Sequence, residues 1–209
     1  MIRTENLTFQ YQSTSKEFKF PDINIDQNKD LLILGKSGIG KTTFLHLLAG
    51  LLKPQRGKVI IDYTETQLLS NAKLDKFRGQ NIGLVFQKKH AIQSLTVYKN
   101  LQARLFFSGS KTSDSDIDSL LDQLEILDQK HQKVNELSEG QLQRLSIAMA
   151  VIHKPKILLA DEPTSSLDDE TCKIVIDLLK TQAQRTEANL IVITHDQRIK
   201  SFFQNQITL

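Results

Sequence analysis

Nine residues, GKSGIGKTT from Gly35 to Thr43, stand between the apolar run LLIL (Leu31–Leu34) and the leucine-rich stretch FLHLLAGLL (Phe44–Leu52). They satisfy the spacing G-x-x-x-x-G-K-[ST], with Gly35, Gly40, Lys41 and Thr42 in the fixed places. A strand, a glycine turn and a helix in that order make a cradle for phosphate, because glycine lets successive backbone N–H groups point inward. The helix, expected over Thr42–Leu52, aims its positive end at the same anion. Lys41 reaches the outer phosphates, and the Thr42 hydroxyl is placed to ligate Mg²⁺. The candidate nucleotide-binding residues are thus Gly35, Lys36, Ser37, Gly38, Ile39, Gly40, Lys41, Thr42 and Thr43.

The stretch KILLADEPTSSLD (Lys156–Asp168) supplies the acids such a cradle needs. Its apolar strand ends in Asp161, where a Mg²⁺-binding carboxylate belongs in phosphate-loop proteins, and Glu162 follows at once. Two adjacent carboxylates repel each other unless a cation sits with them. The natural division gives Asp161 to the metal and Glu162 to the attacking water.

Other apolar runs extend the pattern. Ile157–Ala160 (ILLA) and Leu190–Thr194 (LIVIT) resemble Leu31–Leu34 in being nearly continuous, which suits strands buried on both faces of a mostly parallel sheet. Ile2–Phe9 and Phe18–Ile25 are expected as early strands, as an antiparallel pair. From about Thr96 to Glu136 the pattern is wholly helical, with a polar approach at Ser108–Asp116 and an apolar stripe of Ile117, Leu120, Leu121, Leu124 and Leu127. That stripe is ordinary core. The fold class is α/β: a mixed, mostly parallel sheet with helices, an antiparallel β part and an inserted helical subdomain.

Composition narrows the function. A formal charge of +3 is too small to point to nucleic acid. The single cysteine, Cys172, excludes an internal disulfide and, within an apolar helical pattern, is expected in packing. No apolar run approaches the length of a membrane span, and MIRTENLTF lacks the apolar segment of a signal peptide. Any membrane role is expected to come through a partner.

With VFQ (Val85–Gln87), LSEGQ (Leu137–Gln141), DEPTSSLD (Asp161–Asp168) and ITHD (Ile193–Asp196) in this order, the chain resembles the ATP-binding subunit of an ABC transporter over almost all of its 209 residues. The resemblance implies one nucleotide-binding domain over 1–209, with a core at about 1–90 and 155–209 and a helical subdomain at about 91–154. It implies ATP and Mg²⁺ as cofactors and an ATPase reaction. Tyr11 would stack on adenine. Gln87 would sense Mg²⁺ and the membrane subunit, joining Thr42 and Asp161 at the metal and Glu162 and His195 in catalysis. His195 would contact the γ-phosphate.

The resemblance also implies a homodimer in which two copies face head to tail. Ser138, Gly140 and Gln141 of one copy would close the phosphate site of the other, with Asp168 nearby. A glycine turn opening a helix suits that task, and Ser138 with Gln141 three residues on is also a local capping box. The further implied partner is an integral membrane permease, docking near Phe86–Val97, with the chain held at the cytoplasmic face of the inner membrane. No nucleic acid is expected. DEPTSSLD is similar to the lipoprotein-release, macrolide-export and cell-division branch, which leans toward export or extraction. Two positions depart from the family pattern: Glu139 replaces the second glycine of LSGGQ, and Met149 replaces an arginine, at the cost of an ion pair. The alternatives are a soluble ABC-type ATPase of DNA repair or translation, and a phosphate-loop kinase, which would leave LSEGQ and His195 unexplained.

Overall fold

The computed structural model describes residues 1–12, 16–88, 90–165 and 167–209. Lys89, within the expected docking stretch Phe86–Val97, and Ser166, within DEPTSSLD, lie outside the described residues, as do residues 13–15.

Two sheets form the frame. The antiparallel one comprises β1 (Ile2–Gln10), β2 (Glu17–Lys19) and β3 (Asn24–Ile25), followed after an intervening segment by β5 (Arg56–Ile61) and β6 (Thr64–Glu65). Its order is β2-β1-β5-β6, with β3 also on β1. The expected pair is therefore present, but the run Phe18–Ile25 is split in two. Pro21 is the reason: it has no N–H to give the ladder. The Thr4 hydroxyl bridges the break, donating to Pro21 O and accepting from Ile23 N.

The second sheet is wholly parallel. It runs β10 (Gln206–Thr208), β4 (Asp30–Leu34), β9 (Asn189–Thr194), β8 (Ile157–Asp161), β7 (Ile82–Val85). Its side chains alternate between two apolar clusters. Leu32, Leu34, Leu158, Ala160, Leu190 and Val192 face one way; Leu31, Ile33, Ile157, Leu159, Ile191 and Ile193 face the other. Burial on both faces is what a continuous apolar run requires.

The second face packs on α1 (Lys41–Leu48) and on Ile2, Leu7, Val59 and Ile61 of the antiparallel sheet. Helix α1 stops short of the expected Leu52, because Gly50 turns left-handed (φ 64°) and Leu51 and Leu52 donate back to His46 O. The first face packs on α3 (Val97–Ser108), α4 (Asp114–Gln123), α5 (Glu139–Val151) and α6 (Asp169–Arg185). Ile117, Leu120, Leu121 and Leu124 are buried and Leu127 is half-buried, all in the same cluster as Leu158 and Val192. The inserted helices thus share the sheet's core, and Cys172 lies packed within it.

The wholly helical reading of Thr96–Glu136 needs correction. Ser108 closes α3, and after α4 the chain turns through residues 124–133, with Glu125 left-handed (φ 54°). Val97 N donates to Gln132 O and Val134 N to Leu95 O, so this turn is stitched to the start of α3 rather than helical. Helix α2 (Asn71–Asn81) was not foreseen and buries no side chain. It precedes β7, where a Cβ added to Gly83 would lie 2.2 Å from Ala150 O, so α5 rests directly on the strand backbone.

Candidate active site

Strands β4, β9, β8 and β7 are neighbours and parallel, so their C-terminal ends open on one edge of the sheet, where α/β sheets bind ligands. The chain leaves β4 into Gly35–Thr43, β9 into His195, β8 into Glu162 and β7 into Gln87.

The glycine loop has the shape of a cup. Gly40 (φ 118°) holds a backbone that L-residues avoid, and a Cβ there would meet Phe18 Cδ1 at 2.7 Å. Gly38 (φ 77°) has nothing within 4 Å of its Cβ position. No side chain caps α1, so its first N–H groups are left for an anion. Lys36, Ser37, Gly38 and Ile39 are exposed, whereas Lys41 is buried. The Lys41 ammonium donates to Gly35 O at 2.8 Å and Lys36 O at 3.2 Å, and lies 3.2 Å from Glu162 Oε1.

The two carboxylates part company. Asp161 accepts from the Thr42 hydroxyl at 3.4 Å. Burial pushes the Asp161 carboxyl up, with the Glu162 charge adding to the effect and Thr42, His46 and Lys41 opposing it. Glu162 takes a left-handed backbone (φ 48°), a strained state for a residue with a Cβ, and turns to the end of β9. Its Oε2 accepts from Thr194 Oγ1 (2.7 Å), His195 N (3.2 Å) and His195 Nδ1 (3.0 Å). Burial pushes this carboxyl up, but the donors at Thr194, His195 and Lys41 outweigh it and hold it below its ordinary value. The repulsion expected between neighbours is relieved by separation, with Lys41 as the cation at Glu162.

Tyr11 comes to the same edge. Its hydroxyl meets Thr43 Oγ1 at 3.0 Å, and its ring stands edge-on to Phe9 and Phe18. Thr42 is exposed beside Asp161, so the two supply hard oxygens at an open position. Among the described residues no cluster of three or more His, Cys, Asp or Glu forms a metal site. Mg²⁺ does not need one, since it keeps waters and substrate phosphates in its shell, and the Thr42–Asp161 pair fits it.

The remaining sequence-derived residues stand apart. Gln87 is exposed just past β7, on the edge shared with Asp161, and makes no hydrogen bond to Asp161 or Thr42 among the described residues. Ser138 caps α5: its hydroxyl accepts from Gln141 N, and Gln141 Oε1 accepts from Ser138 N. The expected glycine turn is a correction here, because helix begins at Glu139 and places Gly140 in its first turn. A Cβ on Gly140 would meet nothing within 4 Å, so nothing in this chain demands glycine there. Asp168 caps α6 through Thr171 N and Oγ1, contacts that hold its carboxyl down. Glu139 is exposed, and Met149 packs on the core.

Arg198 escaped the sequence reading. Its Nε and Nη2 grip both oxygens of Asp196, and Nη1 donates to Leu167 O and Asp169 Oδ1. Thr164 Oγ1 also donates to Asp196. The segment after His195 is therefore clasped to the segment holding Asp168. The acid–x–base spacing of Asp196 and Arg198 was the available signal.

Residues 19–165 match the family model described as ABC transporter. The lipoprotein-releasing system ATP-binding protein LolD of Legionella pneumophila (strain Lens) is 34% identical over 189 residues, covering 90% of this chain and 83% of that protein. The methionine import ATP-binding protein MetN of Desulfitobacterium hafniense is 38% identical over 204 residues, 95% of this chain and 60% of that protein. Among solved structures, the dimeric bacterial ABC transporter cassette MJ0796 superimposes with a TM-score of 0.88 at 32% identity, covering 100% of this chain and 94% of that one. A second structure of that cassette is a dimeric post-hydrolysis state bound to ADP and Pi.

Proposed function

This chain belongs to the ABC transporter family and is the ATP-hydrolysing, nucleotide-binding cassette of a membrane transporter, and from that premise we propose how its residues divide the work. The observation that carries the proposal is the convergence of Lys41, Thr42, Asp161, Glu162 and His195 at the ends of β4, β8 and β9. The loop N–H groups of Gly35–Thr43 and the start of α1 bind the phosphates of ATP, and Tyr11 takes the base. Lys41 leaves Glu162 for the outer phosphates, a charge-assisted contact in a water-poor cleft. Thr42, Asp161 and Gln87 would hold Mg²⁺, which supplies charge neutralisation at the phosphate oxygens. Glu162, oriented by Thr194 and His195, accepts the proton of the attacking water, and His195 turns to the γ-phosphate.

The site is completed by a second copy. Ser138 and Gly140, exposed, and Gln141, half-buried, lie at the start of α5 and make no hydrogen bond to the glycine loop of their own chain among the described residues. In a head-to-tail homodimer they close the partner copy's phosphates, with Asp168 at the seam. Mixing two inactive variants, Lys41→Ala and Gly140→Asp, tests this. A mixed dimer has one intact composite site, so partial ATPase activity should return. Continued inactivity would place the whole site in one chain.

No helix is long and apolar enough to cross a membrane among the described residues. We read the chain as peripheral, at the cytoplasmic face of the inner membrane, attached through an integral permease. The support is a groove of about 640 Å³ beside Gln87, lined among others by Leu84, Phe86, Phe106, Phe107 and Met149. Phe106 and Phe107 are 81% and 75% exposed, more apolar surface than a finished monomer tends to show in one place. Similarity to LolD favours export or extraction over the import named for MetN. Cargo movement away from the cytoplasmic face in reconstituted vesicles tests that direction.

A further inference from the structure

The groove beside Gln87 holds a cation that has no counter-charge among the described residues. Arg104, on α3, is half-buried in its wall. Its Nη2 donates to Ile82 O at 3.0 Å and lies 2.8 Å from His153 Nε2. Both partners are neutral. Burial, with the Arg104 charge adding, holds His153 at about 3, so the ring is uncharged. Its Nε2 also lies 3.2 Å from Ile82 O, and Nδ1 is buried without a hydrogen-bond partner. The fold leaves one polar atom unsatisfied where Arg104 is held in place.

Buried charges are normally paired, because losing water costs a cation far more than neutral acceptors return. None of the ion pairs among the described residues includes Arg104. Most of the groove's other charges are also positive. Lys76 and Lys88 are exposed on it, and Asp75, the acid among its described lining residues, is already paired with Arg78. Apolar surface lies beside the cation, with Phe106 and Phe107 standing open.

We propose that Arg104 is the anchor for a carboxylate carried by the docking segment of the membrane subunit, an apolar stretch bearing Asp or Glu that lies across Phe106 and Phe107. The proposal rests on reading this groove as the permease dock. With Nη2 held, Nε and Nη1 make no hydrogen bond among the described residues and remain as charged donors for a carboxylate oxygen. Positive charge around an apolar floor excludes a basic segment and favours an acidic one. A recessed, pre-oriented cation suits a protein side chain reaching in, whereas a lipid headgroup is met by exposed lysines.

The test begins with a photo-crosslinking benzoylphenylalanine in place of Phe107, in membranes of the native host, with the captured peptide sequenced by mass spectrometry. The expected peptide joins two membrane spans and contains Asp or Glu. Arg104→Glu should then abolish copurification with that subunit, and exchanging the captured acid for arginine should restore it. Variants are scored only if they still bind ATP. If Arg104→Glu does not, Arg104→Gln carries the test with at least a tenfold loss of copurification, and Arg104→Lys with an intermediate one. A captured segment without an acid, or a loss that the exchange does not repair, overturns the anchor and leaves the dock standing. Crosslinks only to lipid or to a second copy of this chain overturn the dock itself.

Discussion

Lys41 and Glu162 form a buried ion pair, 3.2 Å from Nζ to Oε1, so the lysine of the glycine loop is held by the carboxylate proposed above for the attacking water. On the proposed division of roles, ATP takes Lys41 from Glu162, and the same exchange leaves Oε1 open to a water. Oε2 stays fixed by Thr194 and His195.

Glu162→Gln should keep ATP binding and lower turnover by at least about a hundredfold, the usual worth of a positioned general base. The ATP-bound dimer should then accumulate on size exclusion. Loss of nucleotide affinity instead would make Glu162 a structural partner of Lys41.

Tyr11 separates ring from hydroxyl. Tyr11→Phe loses the 3.0 Å contact to Thr43 and should cost about 1 kcal/mol of stability with little change in affinity. Tyr11→Ala should cost roughly 1–3 kcal/mol of nucleotide affinity, the scale of base stacking. Equal affinity losses in the two variants, read by calorimetry, would assign the role to the hydroxyl.

Arg198 ties Asp196 to Leu167 and Asp169. Arg198→Ala should lower kcat while leaving KM close to wild type, because the clasp orients His195 and the Asp168 segment without touching nucleotide. Arg198→Lys should recover only part, since an ammonium cannot grip both oxygens of Asp196. An unaltered kcat in both variants would show the clasp to be inert.

His153 sets a pH dependence of stability. Burial holds it at about 3 in the folded chain, against 6.5 when free. The unfolded state therefore binds more protons in that window, so stability is full above about pH 6.5 and declines as pH falls toward about 3. The slope is at most about 1.4 kcal/mol per pH unit. Melting curves of His153→Gln should be flatter than wild type across this range. Parallel curves would place the effect elsewhere.

Glu139 is exposed at the first residue of α5, where a negative charge favours the helix start. Glu139→Gly should change ATP-driven dimerisation and turnover by no more than about twofold, given solvent screening of an exposed charge. A gain of about tenfold or more would mean that its carboxylate opposes the partner copy's phosphates.

Strands β4, β8 and β9 were legible because burial on both faces demands continuous apolar residues. The antiparallel start was legible too, apart from the break at Pro21. Strand β7 is four residues long with Gly83 inside it, β10 is a short, largely exposed edge, and α2 buries no side chain. Such elements are held by their neighbours, and a hydrophobic period has nothing to register in them.

By itself the sequence determined several contacts that chain neighbours make: the glycine loop entering α1, the acids ending β8, the cap at Ser138. Local spacing sets these geometries, since backbone sterics act over a few residues. Only the tertiary structure decided that Glu162 turns to His195 and Lys41 while Asp161 turns to Thr42, that Arg198 clasps two loops, and that Arg104 rests on His153. Each of these pairs is distant in the chain and meets because strand order and the packing of helices on the sheet bring it together; the resemblance grouped Thr42 with Asp161 and Glu162 with His195, but not the contacts each one makes.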